Sequence, residues 1–427
     1  MKGSVFFEFM RNKNIELKEC EIKNVQIDSR KVGVGDLFFA IRGGNDFVED
    51  ALLKGASFVI YDSENINCTS EKAVKCSDTV TFLQEMASFY RKKMDPIVIA
   101  ITGSNGKTTT KDILYSIMSK KYKGKKTEGN YNNHIGMPYT IMQLEEDDKF
   151  IILEMGMSGF GEIDLLAKIA EPDYGIITNI GHSHLEHLKT RENIFKAKTE
   201  LVPYVKNKMI FCNEDEFLKK CEGIKAGKNG DVTAEEIRCS EEGSEYVLNI
   251  FGKKYPVKTN LTGEHNVINE TMAAAVAKFC EIEDTIIVEA LKSVEISKMR
   301  FQKIEKNDII YINDAYNASP MSMKAALESF AGMYKEITRI VVLADMLELG
   351  EESEKLHIAL SEPLKNGGFD YIFLFGEKMK SLNKVMGNES KHYGDKIEII
   401  NAINQIKGKK VVLLKGSRGM KLEEIIK

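Results

Sequence analysis

No stretch of this 427-residue sequence approaches the ~20 consecutive apolar residues of a membrane span. The N-terminal run Val5-Phe6-Phe7 is broken at Glu8, too short for the core of a signal peptide. Neither sign of charge dominates. The net charge is −4, so no general affinity for nucleic acid or a membrane surface is expected. Cysteine is scarce and unpatterned: Cys20, Cys68, Cys76, Cys212, Cys221, Cys239 and Cys280 form no C-x-x-C pair. An odd, scattered set in a chain this long points to reduced thiols and a cytoplasmic setting. Repeats and low-complexity tracts are missing too. What remains is 43% apolar and 29% charged, an ordinary globular balance. The length suits two to four domains at roughly 150 residues each.

One stretch organises the rest. Ile97 to Ile101 is a short apolar run of buried-strand type. Thr102-Gly103-Ser104-Asn105-Gly106 is a glycine turn, and Lys107-Thr108-Thr109-Thr110 opens a helical pattern through Met118. Strand, glycine turn, Lys-Thr and helix form the order a phosphate-binding loop requires. The glycines let successive backbone N–H groups point at one anion, and the helix N-terminus adds partial positive charge. Lys107 can reach outer phosphates, and the Thr108 hydroxyl can hold Mg²⁺. Ile101 stands where the longer form of the motif has glycine, so the shorter T-G-x-x-G-K-T form describes it.

Taken in order, residues 1–78 read as a small α/β unit. Strands are expected at Asp36–Ile41 and Ser57–Tyr61, with a helix at Phe47–Ala56 carrying Phe47, Ala51 and Leu52 on its apolar side. Asp28-Ser29-Arg30 precedes them, either a ligand-binding triplet or a plain loop. A helix over Thr79–Lys93 leads into the phosphate loop. Beyond it, Phe150–Leu153 reads as a strand ending in Glu154, and Gly175–Ile180 as another ending in Gly181-His182-Ser183-His184. Lys107, Glu154 and His184 thereby follow the carboxyl ends of strands, where open α/β sheets place active groups. A helix is expected over Arg191–Tyr204. Lys198 lies three or four residues from Ile194, Phe195, Leu201 and Val202, inside the apolar stripe, where it either pays for burial or snorkels to water.

Residues 213–260 are polar and read as peripheral strands and loops. Thr262-Gly-Glu-His begins an Ala-rich helix on which Asn266 and Asn269 share a face. Past Ile296-Ser-Lys-Met-Arg300-Phe the pattern becomes strands at 309–313, 339–344, 371–375 and 410–414 with helices between, a Rossmann-like unit with a parallel sheet. It has no G-x-G-x-x-G, so it need not bind NAD. Asp314, Asp345, Glu348 and Lys415-Gly-Ser-Arg418 follow strands and would line one rim. The boundaries expected are 1–78, 79–298 and 299–427. A rival reading takes His182, His184 and His187 in His-Ser-His-Leu-Glu-His as the metal cluster of a zinc hydrolase. It would leave the phosphate loop without a role. A phosphate-loop switch or transporter ATPase is a third.

Together these residues resemble the Mur ligase family, from Asp28 to Gly419. The resemblance implies three α/β domains: a small N-terminal domain for a UDP-sugar, a central P-loop ATPase-type domain, and a C-terminal Rossmann-like domain for the incoming group. It implies an ATP loop over Thr102, Gly103, Ser104, Asn105, Gly106, Lys107, Thr108 and Thr109. Asn266, Asn269, Arg300 and Asp314 would complete the nucleotide site. A metal set of Thr108, Glu154, His184 and Lys198 follows for two Mg²⁺, with Lys198 carbamylated. His184, rather than His182, matches the family histidine; His187 matches nothing. Asp28, Ser29, Arg30, Asn130, Asn132 and Asn133 would hold the UDP-sugar substrate. The segments Gly-Asn-Tyr-Asn-Asn-His-Ile-Gly-Met-Pro, Asn-Asp-Ala-Tyr-Asn-Ala-Ser-Pro, Ala-Asp-Met-Leu-Glu-Leu-Gly and Lys-Gly-Ser-Arg-Gly suit the branch that adds D-alanyl-D-alanine to UDP-N-acetylmuramoyl-tripeptide, acting as a cytoplasmic monomer. The neighbouring branch, which adds diaminopimelate or lysine, carries an Asn-Pro motif with Arg that this sequence lacks.

Overall fold

The computed structural model describes residues 1–66 and 68–426. They fold as two compact α/β units. One comprises residues 1–102, 121–175 and 200–208, the other residues 103–120, 176–199 and 209–427.

The first unit begins with a parallel sheet in the order Val25–Gln26, Leu37–Phe39, Phe58–Tyr61, Ala73–Lys75. Its central strands are buried along their whole length, which is why they read as continuous apolar runs. The N-terminal apolar run lies in the helix Gly3–Asn12, which sets Phe6 and Phe7 against Phe58. The helix expected over Phe47–Ala56 is shorter. A 3₁₀ segment, Arg42–Phe47, precedes Val48–Leu53, and Phe47 is 45% exposed rather than in the stripe. Gly43 and Gly44 lower helix propensity on one side, and Gly55, in the left-handed region at φ +90°, ends it on the other.

The helix Thr79–Met94 matches expectation. Asp78 caps it by accepting from the Thr81 backbone N, and Leu83, Met86, Ala87 and Tyr90 form the buried stripe. Asp95 closes it in the left-handed conformation immediately before Pro96. Three parallel strands follow, with Phe150–Glu154 between Ile97–Thr102 and Gly124–Lys126.

In the second unit, the helix Lys107–Met118 packs against the Ala-rich helix Glu264–Phe279. The stretch 213–260 is more ordered than its polarity suggested. Lys208–Cys212, Ile224–Ala226 and Val232–Ser240 pair in parallel, and Gly243–Ile250 and Lys253–Thr259 extend them as antiparallel strands. The strand Tyr174–Ile177 ends three residues before Ile180, because Thr178 and Asn179 turn toward the phosphate loop. The helix from Arg191 stops at Thr199 rather than Tyr204; Pro203 sits in a separate 3₁₀ turn, Val202–Tyr204.

The C-terminal sheet runs Gln302–Lys306, Ile309–Asn313, Lys410–Lys415, Thr338–Ala344, Tyr371–Phe375, Lys391–Tyr393. The four central strands are those expected and are parallel. The sheet is not purely parallel: Gln302–Lys306 is an antiparallel edge, too polar and too exposed to announce itself.

Candidate functional site

The phosphate loop is built on two close approaches that only glycine permits. Gly103 lies at φ +146°, and a Cβ there would fall 1.8 Å from Thr178 Oγ1. Gly106 lies at φ +81°, and a Cβ there would fall 2.7 Å from Asn269 Oδ1. The loop is tied down from behind. Asn179 Oδ1 accepts from the Asn105 backbone N at 3.0 Å, and Asn179 Nδ2 and Thr178 Oγ1 donate to the Asn105 carbonyl. Gly181 N donates to Ser104 Oγ at 2.8 Å. Lys107 Nζ donates back to the Gly103 carbonyl at 2.8 Å, a conformation that curls the ammonium over the loop. Lys107 is the first residue of its helix, so the helix N-terminus adds partial positive charge beside the loop. In the first unit Thr102 is fully buried, its Oγ1 bonded to the Met155 carbonyl; in the second unit Thr109 is buried as well.

Lys198 does not snorkel. It is 1% exposed, and its amine is held well below the usual lysine range, first by burial and then by the nearby Lys107 cation. Among the described residues its side chain makes no hydrogen bond or ion pair. His184 caps the short helix Leu185–Leu188 in the left-handed conformation, φ +65°. Its Nδ1 lies 2.7 Å from Glu348 Oε2, off the line of an ideal hydrogen bond. That contact holds the Glu348 carboxyl below its ordinary range. His182 Nδ1 is buried without a partner, and burial lowers its pKa. Among the described residues no three His, Cys, Asp or Glu side chains form a metal-holding group, so the zinc-cluster reading of His182, His184 and His187 finds no geometry.

The remaining nucleotide-side residues gather in the same unit. Asn266 and Asn269 are both buried on one helix face. Asn266 donates to the Thr262 carbonyl, and Asn269 Nδ2 stands 3.5 Å from Asn266 Oδ1. Arg300 reaches Thr108 Oγ1 with one guanidinium nitrogen at 3.2 Å and lies over the Tyr316 ring at 4.2 Å. Its neighbours Met299 and Phe301 are both left-handed, at φ +61° and +53°. Asp314 accepts from the Phe301 backbone N and from Lys415 Nζ, the latter at 2.6 Å; Lys415 is 2% exposed. Ser319, the capping-box serine of the helix Pro320–Ala331, donates from Oγ to Asn105 Oδ1 at 2.8 Å. Neither Ser319 nor the Thr178–Asn179 pair stood out as site residues in the sequence. The sequence reading placed Thr178 and Asn179 inside the strand expected over Gly175–Ile180.

The other candidates belong to the first unit. Glu154 ends its strand and is 4% exposed; Asn132 Nδ2 donates to its Oε1 at 3.0 Å, and Thr127 Oγ1 accepts from its backbone N. Asn133 turns its amide oxygen onto the backbone of Ile135 and Gly136, and Asn130 is exposed in a turn. Asp28 caps the 3₁₀ turn Ser29–Lys31. The Arg30 side chain, bonded to both its oxygens, helps draw its pKa down to about 2.

Three family descriptions match in chain order. They are the Mur ligase family catalytic domain over residues 21–91, the Mur ligase middle domain over 101–277, and the Mur ligase glutamate ligase domain over 299–418. The UDP-N-acetylmuramoyl-tripeptide--D-alanyl-D-alanine ligase of Bacillus subtilis is 34% identical, across 97% of this chain and 94% of its own. A crystal structure of MurF from Acinetobacter baumannii superposes with a TM-score of 0.90 at 29% identity, covering 99% of this chain and 97% of that one. The MurF ligase of Thermotoga maritima in complex with ADP superposes at 0.84 and 27% identity, covering 96% and 97%. With its phosphate loop, its buried lysine and its three matched segments in this order, the chain belongs to the Mur ligase family.

Proposed function

We infer that the protein is an ATP-dependent ligase that joins D-alanyl-D-alanine to UDP-N-acetylmuramoyl-tripeptide in peptidoglycan precursor synthesis. The observation that carries this is the loop Gly103–Thr108, with Arg300 on the Thr108 hydroxyl and the unpaired Lys198 buried near Lys107. The relatives' names supply the substrates. The domain assignment is 1–78 for the UDP-sugar, 79–298 for ATP and 299–427 for the dipeptide. The enzyme is taken to act as a cytoplasmic monomer.

The reaction runs in two displacements. An oxygen of the tripeptide carboxylate attacks the γ-phosphorus and the bond to ADP breaks, leaving an acyl phosphate. The dipeptide amine then attacks the acyl carbon; the C–N bond forms, the C–O bond to phosphate breaks, and the amine gives up a proton. Both partners of the first step are anions, so cations must lie between them. Lys107 and the helix N-terminus supply fixed positive charge on the phosphate side. Arg300, stacked on Tyr316, orients Thr108, and Asn266 and Asn269 hold the adenine side. Asp28, Ser29, Arg30, Asn130, Asn132 and Asn133 form the UDP-sugar side.

Thr108, Glu154, His184 and a carbamylated Lys198 are the residues proposed to hold Mg²⁺; the hydroxyl, carboxylate and carbamate oxygens suit a hard cation. Two Mg²⁺, when bound, screen the negative charge that gathers on the γ-phosphate. Lys198 is suited to the modification because its burial favours the neutral amine. The nitrogen lone pair adds to CO₂, and the proton leaves.

The test is phosphate release from ATP with the tripeptide nucleotide, with and without D-alanyl-D-alanine, followed by the mass of the product. Release requiring both substrates, with a product heavier by the dipeptide less water, is expected. Release with ATP alone would turn the reading into a switch or transporter ATPase. Stoichiometric zinc in the purified protein would reopen the hydrolase.

A further inference from the structure

We propose that Glu348 is the positioning residue for His184, fixing its ring so that Nδ1 faces the carboxylate and Nε2 is left for the reaction site. The side-chain approach is 2.7 Å, and it is reinforced along the backbone: Glu186 N donates to the Glu348 carbonyl at 3.1 Å. Gly350 presses on the same turn, since a Cβ there would lie 3.1 Å from Glu186 Cα. Both partners are non-glycine residues in the left-handed region, Glu348 at φ +63° and His184 at +65°. Such conformations are strained and persist where surroundings hold them.

The surroundings here are unusually complete. Met346 N donates to Nε2 of the fully buried His357 at 3.0 Å, whose Nδ1 is committed to the Ser353 carbonyl. Leu347 N donates to Ser417 Oγ, and Ser417 N to the Asp345 carbonyl. The Asp345 carboxylate accepts from the backbone of Lys378 and Met379. Met346 and Leu349, on either side of Glu348, are buried in the C-terminal core. Glu348 thus projects from a segment pinned at each neighbouring position, 164 residues beyond His184 in the sequence. A carboxylate on the far nitrogen of a functional imidazole fixes its tautomer and orientation. What Nε2 serves rests on the ligase reading; the pairing does not.

The test uses the full-length protein labelled with ¹⁵N-histidine, without nucleotide, and two-dimensional spectra of the ring nitrogens, with His184→Gln identifying the signals. His184 is expected as the Nδ1–H form in the unmodified protein. In Glu348→Ala its signals should move toward the Nε2–H form, and ligase kcat should fall about 10–100-fold with the KM for ATP little changed. Glu348→Gln, which keeps the shape and drops the charge, should shift the populations the same way by less, and it is read alone if the alanine variant does not fold. Identical ring populations in the folded variant and the unmodified protein overturn the proposal. An unmodified protein that forms no peptide bond would undo the ligase reading and leave the ring measurement standing.

Discussion

Two lysines in two helices are equally buried and chemically opposite. Lys111, in Lys107–Met118, is 1% exposed and lies 3.1 Å from the carboxylate of Asp112, itself fully buried and bonded by the backbone and hydroxyl of Ser297. Lys198, in Arg191–Thr199, is 1% exposed, and its charged neighbour is Lys107, another cation. The first lysine is half of an ion pair within the phosphate-loop helix, whose other half, Asp112, ties that helix to the segment before Arg300 through Ser297. The second carries a proton only at a cost. Burial alone therefore says little about a lysine; the sign of the nearest charge decides whether it becomes structural or reactive.

The largest expected effect breaks the reactive member. Lys198→Ala should lower ligase turnover by about 10³-fold, the upper range for loss of one transition-state stabiliser. Short carboxylic acids should restore part of it by replacing carbamate oxygens, and the unmodified enzyme should depend on bicarbonate. A fully active variant in bicarbonate-free buffer would sink the carbamate while sparing the phosphate loop. Lys107→Ala should cost at least ~100-fold in turnover, since it removes the cation facing the outer phosphate. Near-normal turnover would take the loop out of the mechanism.

Stability should separate the two lysines by sign. Lys111→Met leaves Asp112 buried without its cation and should destabilise by about 3–5 kcal/mol, read as an earlier denaturant midpoint. Lys198→Met, in CO₂-free buffer, should move the midpoint later. Because the folded-state pKa of Lys198 lies below its ordinary value of 10.5, the unfolded chain binds a proton that the folded one refuses. Stability from this group therefore rises with pH toward 10.5, and the methionine variant should lose that slope. Midpoints moving in the same direction for both variants would dissolve the contrast.

The smallest effect comes from a buried carboxyl that sharpens the rule. Glu270 accepts from Thr259 Oγ1 and Tyr246 Oη at 2.5 and 2.7 Å, yet burial raises its pKa from 4.5 to about 7. Two neutral donors do not replace a cation. Between those values the folded protein keeps a proton that the unfolded chain releases, so this contribution to stability falls as pH rises from 4.5 to about 7 and is flat above. Glu270→Gln should remove that fall. Equal slopes of midpoint against pH would show that Glu270 ionises freely.

The sequence by itself determined whatever depends on neighbours along the chain. The glycine turn between an apolar strand and a Lys-Thr helix start is local chemistry, and the loop at 103–108 follows it. The central strands of the C-terminal sheet are buried on both faces and so read as unbroken apolar runs. The spacing that put Lys198 among Ile194 and Leu201 was visible too, but not whether it reached water. Edges and hairpins were the poorest, as in Gln302–Lys306 and the strands between 232 and 259, where one face is solvated and the residues stay polar. Only the tertiary structure decided the pairings that turn residue types into a site. Arg300 meets Thr108 across 192 residues and Ser319 meets Asn105 across 214. Glu348 meets His184, and Lys198 is left with Lys107 for a charged neighbour. Charge and hydrogen bonding act over a few ångströms of space, and no periodicity in one dimension records which distant segments the packing brings within that reach.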